Sequence, residues 1–420
     1  MKKKLLIYTD CYMFGGSEIL ITGLVKNSII YNNFHIVFAY RFHNNYKCSL
    51  EKEFSNFDNL VSFCPLPILA NDNIFRSIDV AIKIPLIRMI FKRVLNSFDK
   101  FGFYFIYNFI VQSLLILRSR PNIIHINNGG YPGASSCSTM VFVSKFFSSA
   151  PIIYQINNST QQTNSIFRKY FDNLVNFFVD NFITASSHSK FLLENYRKFD
   201  PEKIILVPNT VHYYHENISR EKVLFDLNIS NDKFIVCSVG HLFKSKGHSY
   251  LLDAFEIIKD INLDIFQNLS LLVIGDGPEE VFLKKNVNDK KLGDNVFFLG
   301  HQDNSNKYIS CSDLFVFPSI SSEDMPLVIL AAMSMGKKII ATDFSGIKEQ
   351  IVHLESGILV SLNTDTLSID IANSIIKLYN DQGNKFGDNA KLRFESKFST
   401  YQYGIRINDI YSSSVLNKLK

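Results

Sequence analysis

The 420-residue chain contains no tryptophan, and it has little charge of either sign to spare. A formal net charge of +5 is small for 48.2 kDa and leaves no footprint for gripping nucleic acid. Cysteine is scarce too. Cys11, Cys48, Cys64, Cys137, Cys237 and Cys311 form no C-x-x-C pair, and several sit inside apolar runs. That pattern argues against a disulfide framework or a zinc site and fits reduced, buried thiols in a cytosolic protein. Long apolar runs are missing. Phe101–Leu117 has 17 largely apolar residues, the lower edge of a membrane span, and Asn108 and Gln112 interrupt it, so a buried domain helix is expected there. At the start, Lys2–Lys4 precede only four apolar residues, Leu5–Tyr8, before Thr9 and Asp10, which reads as a first β-strand and not a signal peptide. No P-loop, Ser/His/Asp set or D-x-D-type metal pair in a suitable context occurs. His212-x-x-His215 has no obvious third ligand nearby and reads as a solvated loop.

What is present is globular: 46% hydrophobic and 20% charged residues, with 38 phenylalanines. The length is too great for one ordinary core and suits two. Strand-length apolar runs rich in Val, Ile and Phe alternate with helical patterns. In the first half they are Leu5–Tyr8, Phe34–Ala39, Ile123–Ile126, Ile152–Gln155 and Ile204–Val207. In the second they are Phe234–Val239, Leu271–Ile274, Val296–Leu299, Leu314–Phe317 and Lys338–Ala341. Tyr250–Lys259 and Pro326–Met335 are the clearest helices. The expected class is α/β, with strands covered on both faces and joined by right-handed crossovers into parallel sheets. Two doubly wound, Rossmann-like domains follow, over 1–210 and 211–397, with a C-terminal helix in 398–420 packing back on the first. Ligands of such folds bind at the carboxyl ends of strands, so the site is expected in the cleft between the halves.

Ile74–Lys100 carries six basic and two acidic residues, and Ile87, Phe91, Val94 and Phe98 share one helical face beside Arg88 and Lys92. A basic amphipathic helix of this kind can lie on an anionic membrane surface; the alternative is a surface helix whose apolar stripe faces the core.

Five segments carry candidate chemistry. Gly15-Gly16-Ser17-Glu18 follows the first strand and opens a helix, where small residues admit a ligand and the N-terminus favours an anion. His125-Ile126-Asn127-Asn128-Gly129-Gly130 ends a strand in a glycine-rich loop; Asn127 can bond hydroxyls but cannot act as a base, and His125 could equally be a satisfied strand histidine. Gly240-His241 and Lys246-Gly247 follow the strand at 234–239, where Lys246 offers a fixed positive charge and His241 one only when protonated. Ile274-Gly275-Asp276-Gly277-Pro278 is a turn that does not fit G-x-G-x-x-G, which argues against a nicotinamide site. Finally, Ser322-Glu323-Asp324-Met325-Pro326-Leu327-Val328 places Glu323 just before a helix begun by Pro326, with Ala331 inside it.

Together these segments, with Phe298-Leu299-Gly300-His301, Ser345-Gly346-Ile347 and Glu355-Ser356-Gly357, resemble in order and spacing the retaining glycosyltransferases of the GT-B fold, family 4. The resemblance covers nearly the whole chain. It implies a nucleotide-sugar donor, UDP- or GDP-linked, held by Gly15, Gly16, Gly240, Lys246, Gly277, His301, Glu323, Met325, Pro326, Leu327 and Val328. It implies catalysis by Lys246, Glu323 and His241, with no bound catalytic metal and no further cofactor, because Lys246 and helix N-termini neutralise the diphosphate. The implied acceptor is a growing cell-surface polysaccharide or lipid-linked glycan, met by His125, Asn127 and Asn128 at the inner face of the membrane. Three positions depart from the family pattern: Asn127 stands for a second His, His241 for an Arg, and Ala331 for the second Glu, which usually holds the ribose. That last loss costs about 1.5–3 kcal/mol of donor binding if nothing replaces it. The departures keep a second expectation open, a catalytically degenerate GT-B protein serving as partner to another transferase. A sugar epimerase fits less well, because little supplies its acid and base carboxylates.

Overall fold

The computed structural model describes residues 2–11, 14–55, 57, 61–100, 102–212, 219–321 and 323–419. His215 and Ser322 lie outside the described residues, as do the side chains of Arg76, Phe98 and Lys100. The chain divides into two compact units, Met1–Val207 with Thr400–Lys420, and Pro208–Ser399.

The first unit is built on β1 (Lys3–Thr9), β2 (Phe34–Arg41), β3 (Val61–Leu66), β4 (Ile123–Asn128), β5 (Ile152–Ile156), β6 (Asn181–Thr184) and β7 (Ile204–Leu206). All pair in parallel, in the order β3-β2-β1-β4-β5-β6-β7. The second unit holds β8 (Phe234–Val239), β9 (Leu269–Ile274), β10 (Val296–Gly300), β11 (Leu314–Phe317), β12 (Lys338–Thr342) and β13 (Ile358–Val360), in the order β10-β9-β8-β11-β12-β13. These two parallel sheets with their helices are the doubly wound architecture expected from the alternating runs. Three strands have no clear apolar run. β3 contains Pro65 and is an edge with exposed positions, β13 is a three-residue edge, and β6 offers only Phe182 and Ile183 as apolar residues.

Each sheet has one place where the strand order reverses, between β1 and β4 and between β8 and β11. Crossovers leave in opposite directions there, so a crevice opens beyond the carboxyl ends of those strands. Leu5 pairs with Ile123 and Thr9 with Asn127, which brings Asp10 level with the start of the Asn128–Gly130 loop.

The C-terminal helix, Thr400–Leu419, belongs to the first unit. Tyr403, Ile407, Ile410 and Tyr411 are buried in the same cluster as Leu5, Ile7 and Ile123. Asn27 Nδ2 donates to Thr400 O at 2.6 Å, and Asn181 Nδ2 to Ser414 Oγ at 2.9 Å.

The helix Phe103–Ser119 turns its polar residues inward. Asn108 clamps both backbone groups of Leu69, and Gln112 Nε2 donates to Tyr8 Oη and Ser136 O at 2.9 and 3.0 Å. The expected buried helix is thus buried on that face only, with Phe103, Ile106, Ile110 and Leu117 exposed on the other. On Pro85–Lys100 the predicted stripe also faces outward: Ile87, Phe91 and Val94 are exposed. Among the described residues, no helix is long and apolar enough to cross a membrane.

Tyr411 has no solvent exposure, meets Phe34 edge-on at 5.5 Å and lies 2.7 Å from His125 Nδ1. Tyr411→Ala is expected to destabilise the protein by about 3–5 kcal/mol through the cavity it leaves. Tyr411→Phe, which only orphans His125, should cost about 1–3 kcal/mol. Urea unfolding followed by tyrosine fluorescence and circular dichroism checks both.

Candidate functional site

In the second unit the site grows from the loops after β8 and β11. Gly240 N–H donates to Ile274 O at 3.0 Å, and Leu242 N–H to Asp276 O at 2.8 Å, so the 240–242 loop lies against the 275–277 turn. At Gly277, a Cβ would lie 2.6 Å from Leu242 O, so only glycine permits that approach. The chain then makes a short 3-10 turn, Lys244–Lys246, closed by Gly247 at φ 68°. A Cβ on Gly247 would lie 2.0 Å from Pro318 O. The glycine therefore lets the Lys246 loop sit directly on the chain leaving β11.

Two further contacts tie these loops: Ile320 N–H donates to Ser245 O at 2.8 Å, and Ser319 Oγ lies 3.1 Å from the same carbonyl. Their result is an ion pair between Lys246 Nζ and Glu323 Oε1, with both side chains largely covered. Ser319 Oγ donates to the same carboxylate oxygen at 2.9 Å, and Ser345 Oγ fixes Glu323 O at 2.6 Å. Lys246 and Glu323, 77 positions apart, thus meet at the crevice between β8 and β11. His248, one turn further on, is held neutral: burial and the neighbouring Lys246 charge push its pKa down to about 4.

The helix after Glu323 begins at Leu327, with Pro326 as its N-cap and no side-chain cap. The N–H groups of Leu327 and Val328 are first-turn donors without an intrahelical partner. Pro326 has no N–H, so it cannot be one of the expected backbone donors. Met325 is buried: its Sδ accepts from Asn209 N at 3.3 Å, and its carbonyl from Asn209 Nδ2 at 3.0 Å. His241 is solvent-facing, with Nδ1 3.5 Å from Asp276 Oδ1. His301 stands beyond the carboxyl end of edge strand β10, two strands from β8, and faces Asp303 at 3.7 Å in open solvent. Ala331 is buried within the helix.

In the first unit, Gly15 caps the helix Gly16–Val25, and space is open around its Cα. Glu18 points inward instead of toward that opening. It is fully buried, accepting from Thr9 Oγ1 at 2.8 Å, from Asn127 Nδ2 at 3.2 Å and from Tyr46 Oη. Burial raises its pKa, and no cation is among the groups that act on it.

Two expected acceptor contacts need correcting. His125 and Asn127 have no solvent exposure, because β4 is a central strand covered on both faces. His125 is a buried strand histidine paired through Nδ1 with Tyr411 Oη and kept neutral by burial with its pKa near 4, and Asn127 is spent on Glu18, Thr9 and Asn157. Only Asn128 borders open space. It is one wall of a cavity of about 450 Å³ at the carboxyl ends of β1, β2 and β4. Sequence reasoning missed the charged residues of that cavity, Asp10, Arg41 and Asp72. Asp10 and Arg41 did carry a signal, as polar residues closing strands β1 and β2.

Residues 219–393 match the family described as glycosyl transferases group 1. The chain is 28% identical over 243 residues to N-acetyl-alpha-D-glucosaminyl L-malate synthase of Bacillus anthracis, covering 55% of this chain and 61% of that one. It is 28% identical over 228 residues to UDP-Gal:alpha-D-GlcNAc-diphosphoundecaprenol alpha-1,3-galactosyltransferase of Escherichia coli, covering 52% and 56%. It therefore spans a little over half the length of each of these two relatives. Anabaena HepE, solved in complex with UDP, superposes with a TM-score of 0.73 over 98% of this chain and 100% of that one, at 17% identity. The second unit thus carries a group 1 glycosyltransferase domain, and the chain has the GT-B fold.

The raised pKa of Glu18 has a thermodynamic consequence. A carboxyl whose folded pKa lies above its usual 4.5 binds more proton in the folded state, so its contribution to stability declines as pH rises from there. The stability of Glu18→Gln relative to the parent is expected to improve between pH 5 and pH 8. Parallel urea melts at both pH values read this; a gap that does not change with pH would contradict a raised Glu18 pKa.

Proposed function

We propose that the protein is a retaining glycosyltransferase that moves a sugar from a UDP- or GDP-linked donor to a cell-surface polysaccharide or lipid-linked glycan. The observation that carries this is the Lys246–Glu323 pair held at the strand-order reversal of the second sheet. A leaving nucleotide diphosphate gains negative charge as the glycosidic bond breaks, and catalysis requires fixed positive groups aimed at that charge. Lys246 supplies a full charge. The Leu327 and Val328 N–H groups, at the positive end of their helix, supply preorganised donors. Glu323, oriented by Ser319 and Ser345, is positioned to accept hydrogen bonds from the donor sugar once the diphosphate draws Lys246 away. These protein groups can neutralise the diphosphate without a metal. The E. coli relative's name, with its diphosphoundecaprenol-linked acceptor, and the UDP bound by HepE support the substrate classes.

The degenerate-partner reading keeps one support: the buried Ala331 offers no ribose contact, and exposed His241 stands where the family has Arg. Transfer assays with a panel of nucleotide-sugars separate the two readings. Lys246→Ala is expected to lower affinity for the donor nucleotide by about 1.5–3 kcal/mol, roughly tenfold to 150-fold. The Lys246→Ala, Glu323→Ala double variant should not transfer. Normal transfer by it would overturn the assigned roles. Turnover that appears only in Ala331→Glu would mark an attenuated enzyme.

We also propose that the first unit touches an anionic membrane. Exposed Leu86, Phe91 and Val94 lie beside exposed Lys83 and Arg93, and exposed Phe103, Ile106 and Ile110 follow on the next helix. An apolar surface of this extent, flanked by cations, suits the headgroup boundary. Sedimentation with phosphatidylglycerol vesicles should carry the protein down at low salt, and Phe91→Glu should leave most of it in solution. A parent protein wholly soluble beside the vesicles would contradict the contact.

A further inference from the structure

The helices Asn71–Ala81 and Pro85–Lys100 form a hairpin that is built inside out. They run antiparallel, so that Asp79, Phe75 and Asn71 face Arg88, Lys92 and Asn96 in turn. Lys92 Nζ donates to both Asp79 oxygens at 2.7 Å, and Arg88 Nη1 lies 3.4 Å from one of them. Lys92 Nζ also stands 5.4 Å from the centre of the Phe75 ring, and Asn71 Nδ2 donates to Asn96 Oδ1 at 3.1 Å. The seam between the helices is therefore polar. The apolar side chains are on the outside: Val80, Ile84, Leu86, Ile90, Phe91 and Val94 are each at least 49% exposed. A helix pair suited to water does the reverse, with its apolar stripe in the seam and its ions outside.

The two cations that made this segment look basic in the sequence are thus turned into the seam. Lys83 and Arg93, by contrast, stand exposed next to Ile84 and Val94. The hydrogen bond from Lys92, with its charge and that of Arg88, holds the Asp79 carboxyl below the usual carboxylate range, so the pair is formed at neutral pH. The Lys92, Arg88 and Asp79 side chains keep 29%, 35% and 43% of their exposure, so other ions can reach them. Ion pairs this open contribute little to stability, and the hairpin does not need Asp79 as glue. The carboxylate's effect is on charge: it neutralises one of two cations beside a broad apolar surface.

An anionic bilayer acts on such a seam in two ways. Its negative surface potential attracts Lys92 and Arg88 and repels Asp79. Lipid phosphates accept from ammonium and guanidinium groups as a carboxylate does, so headgroups can take over the contacts that Asp79 gives up.

We propose that Asp79 is an internal counter-ion that holds Arg88 and Lys92 in the seam in water, and that the phosphates of an anionic bilayer displace it, so that both cations join the membrane contact. This rests on the membrane contact proposed above, and its test separates the two.

Sedimentation of the full chain with phosphatidylglycerol vesicles at one salt concentration, read as a partition coefficient, tests it in a mutant cycle. The four proteins are the parent, Asp79→Asn, the Arg88→Gln, Lys92→Gln double variant and the triple variant. All the substituted side chains are partly exposed, so all four are expected to fold. Asp79→Asn should raise the partition coefficient roughly tenfold, since each cation near such a surface adds about fivefold. In the Arg88→Gln, Lys92→Gln background the same substitution should gain roughly threefold less or weaker still, because no clasped cation is left to release. On phosphatidylcholine vesicles it should gain nothing. An equal gain in both backgrounds marks the loss of one negative charge alone, and it overturns the counter-ion role while sparing the membrane contact. No gain in either background, or an equal gain on phosphatidylcholine, does the same. If the parent and Asp79→Asn both stay in solution beside phosphatidylglycerol at low salt, the membrane contact itself fails, and the counter-ion role with it.

Discussion

Between β1 and β4, and again between β8 and β11, successive crossovers depart in opposite directions, so the loops beyond those strand ends cannot cover one another. Two groups of charged side chains lie at those two openings. Lys246 and Glu323 come from loops after β8 and β11. Asp10, Arg41 and Asn128 come from the ends of β1, β2 and β4. A parallel sheet must be apolar on both faces, so its polar residues collect at strand ends. The reversal turns one of those ends into a crevice.

The two openings differ in electrostatics. In the second unit Lys246 pairs with Glu323, whose carboxylate also accepts from Ser319. In the first unit Arg41 meets both Asp10 and Asp72.

Much of this was legible in the amino-acid order. Short Val-, Ile- and Phe-rich runs mark ten of the strands, because strands covered on both faces need them. β3, β6 and β13 escaped because two are edges and the third spends its first position on Asn181. The Lys246 and Glu323 loops were legible as local motifs, with glycines at positions whose backbone passes against another chain segment. The first unit's cavity was not. His125 and Asn127 alternate along β4 and look available in one dimension, but neighbouring strands and the helix Thr400–Leu419 cover them. Arg41 lies 31 positions after Asp10 and 31 before Asp72, and only the β1–β2 pairing brings the first two together. No spacing rule encodes a contact of that kind.

The most direct test of the central claim is a calorimetric titration of the intact protein with UDP, GDP and ADP, with Lys246→Ala alongside. Binding of one nucleotide by the parent, lost or sharply weakened in the variant, is the result expected of a donor site built on Lys246, and it would name the base. A folded parent that binds none of the three would contradict the transferase account and leave the degenerate partner in its place.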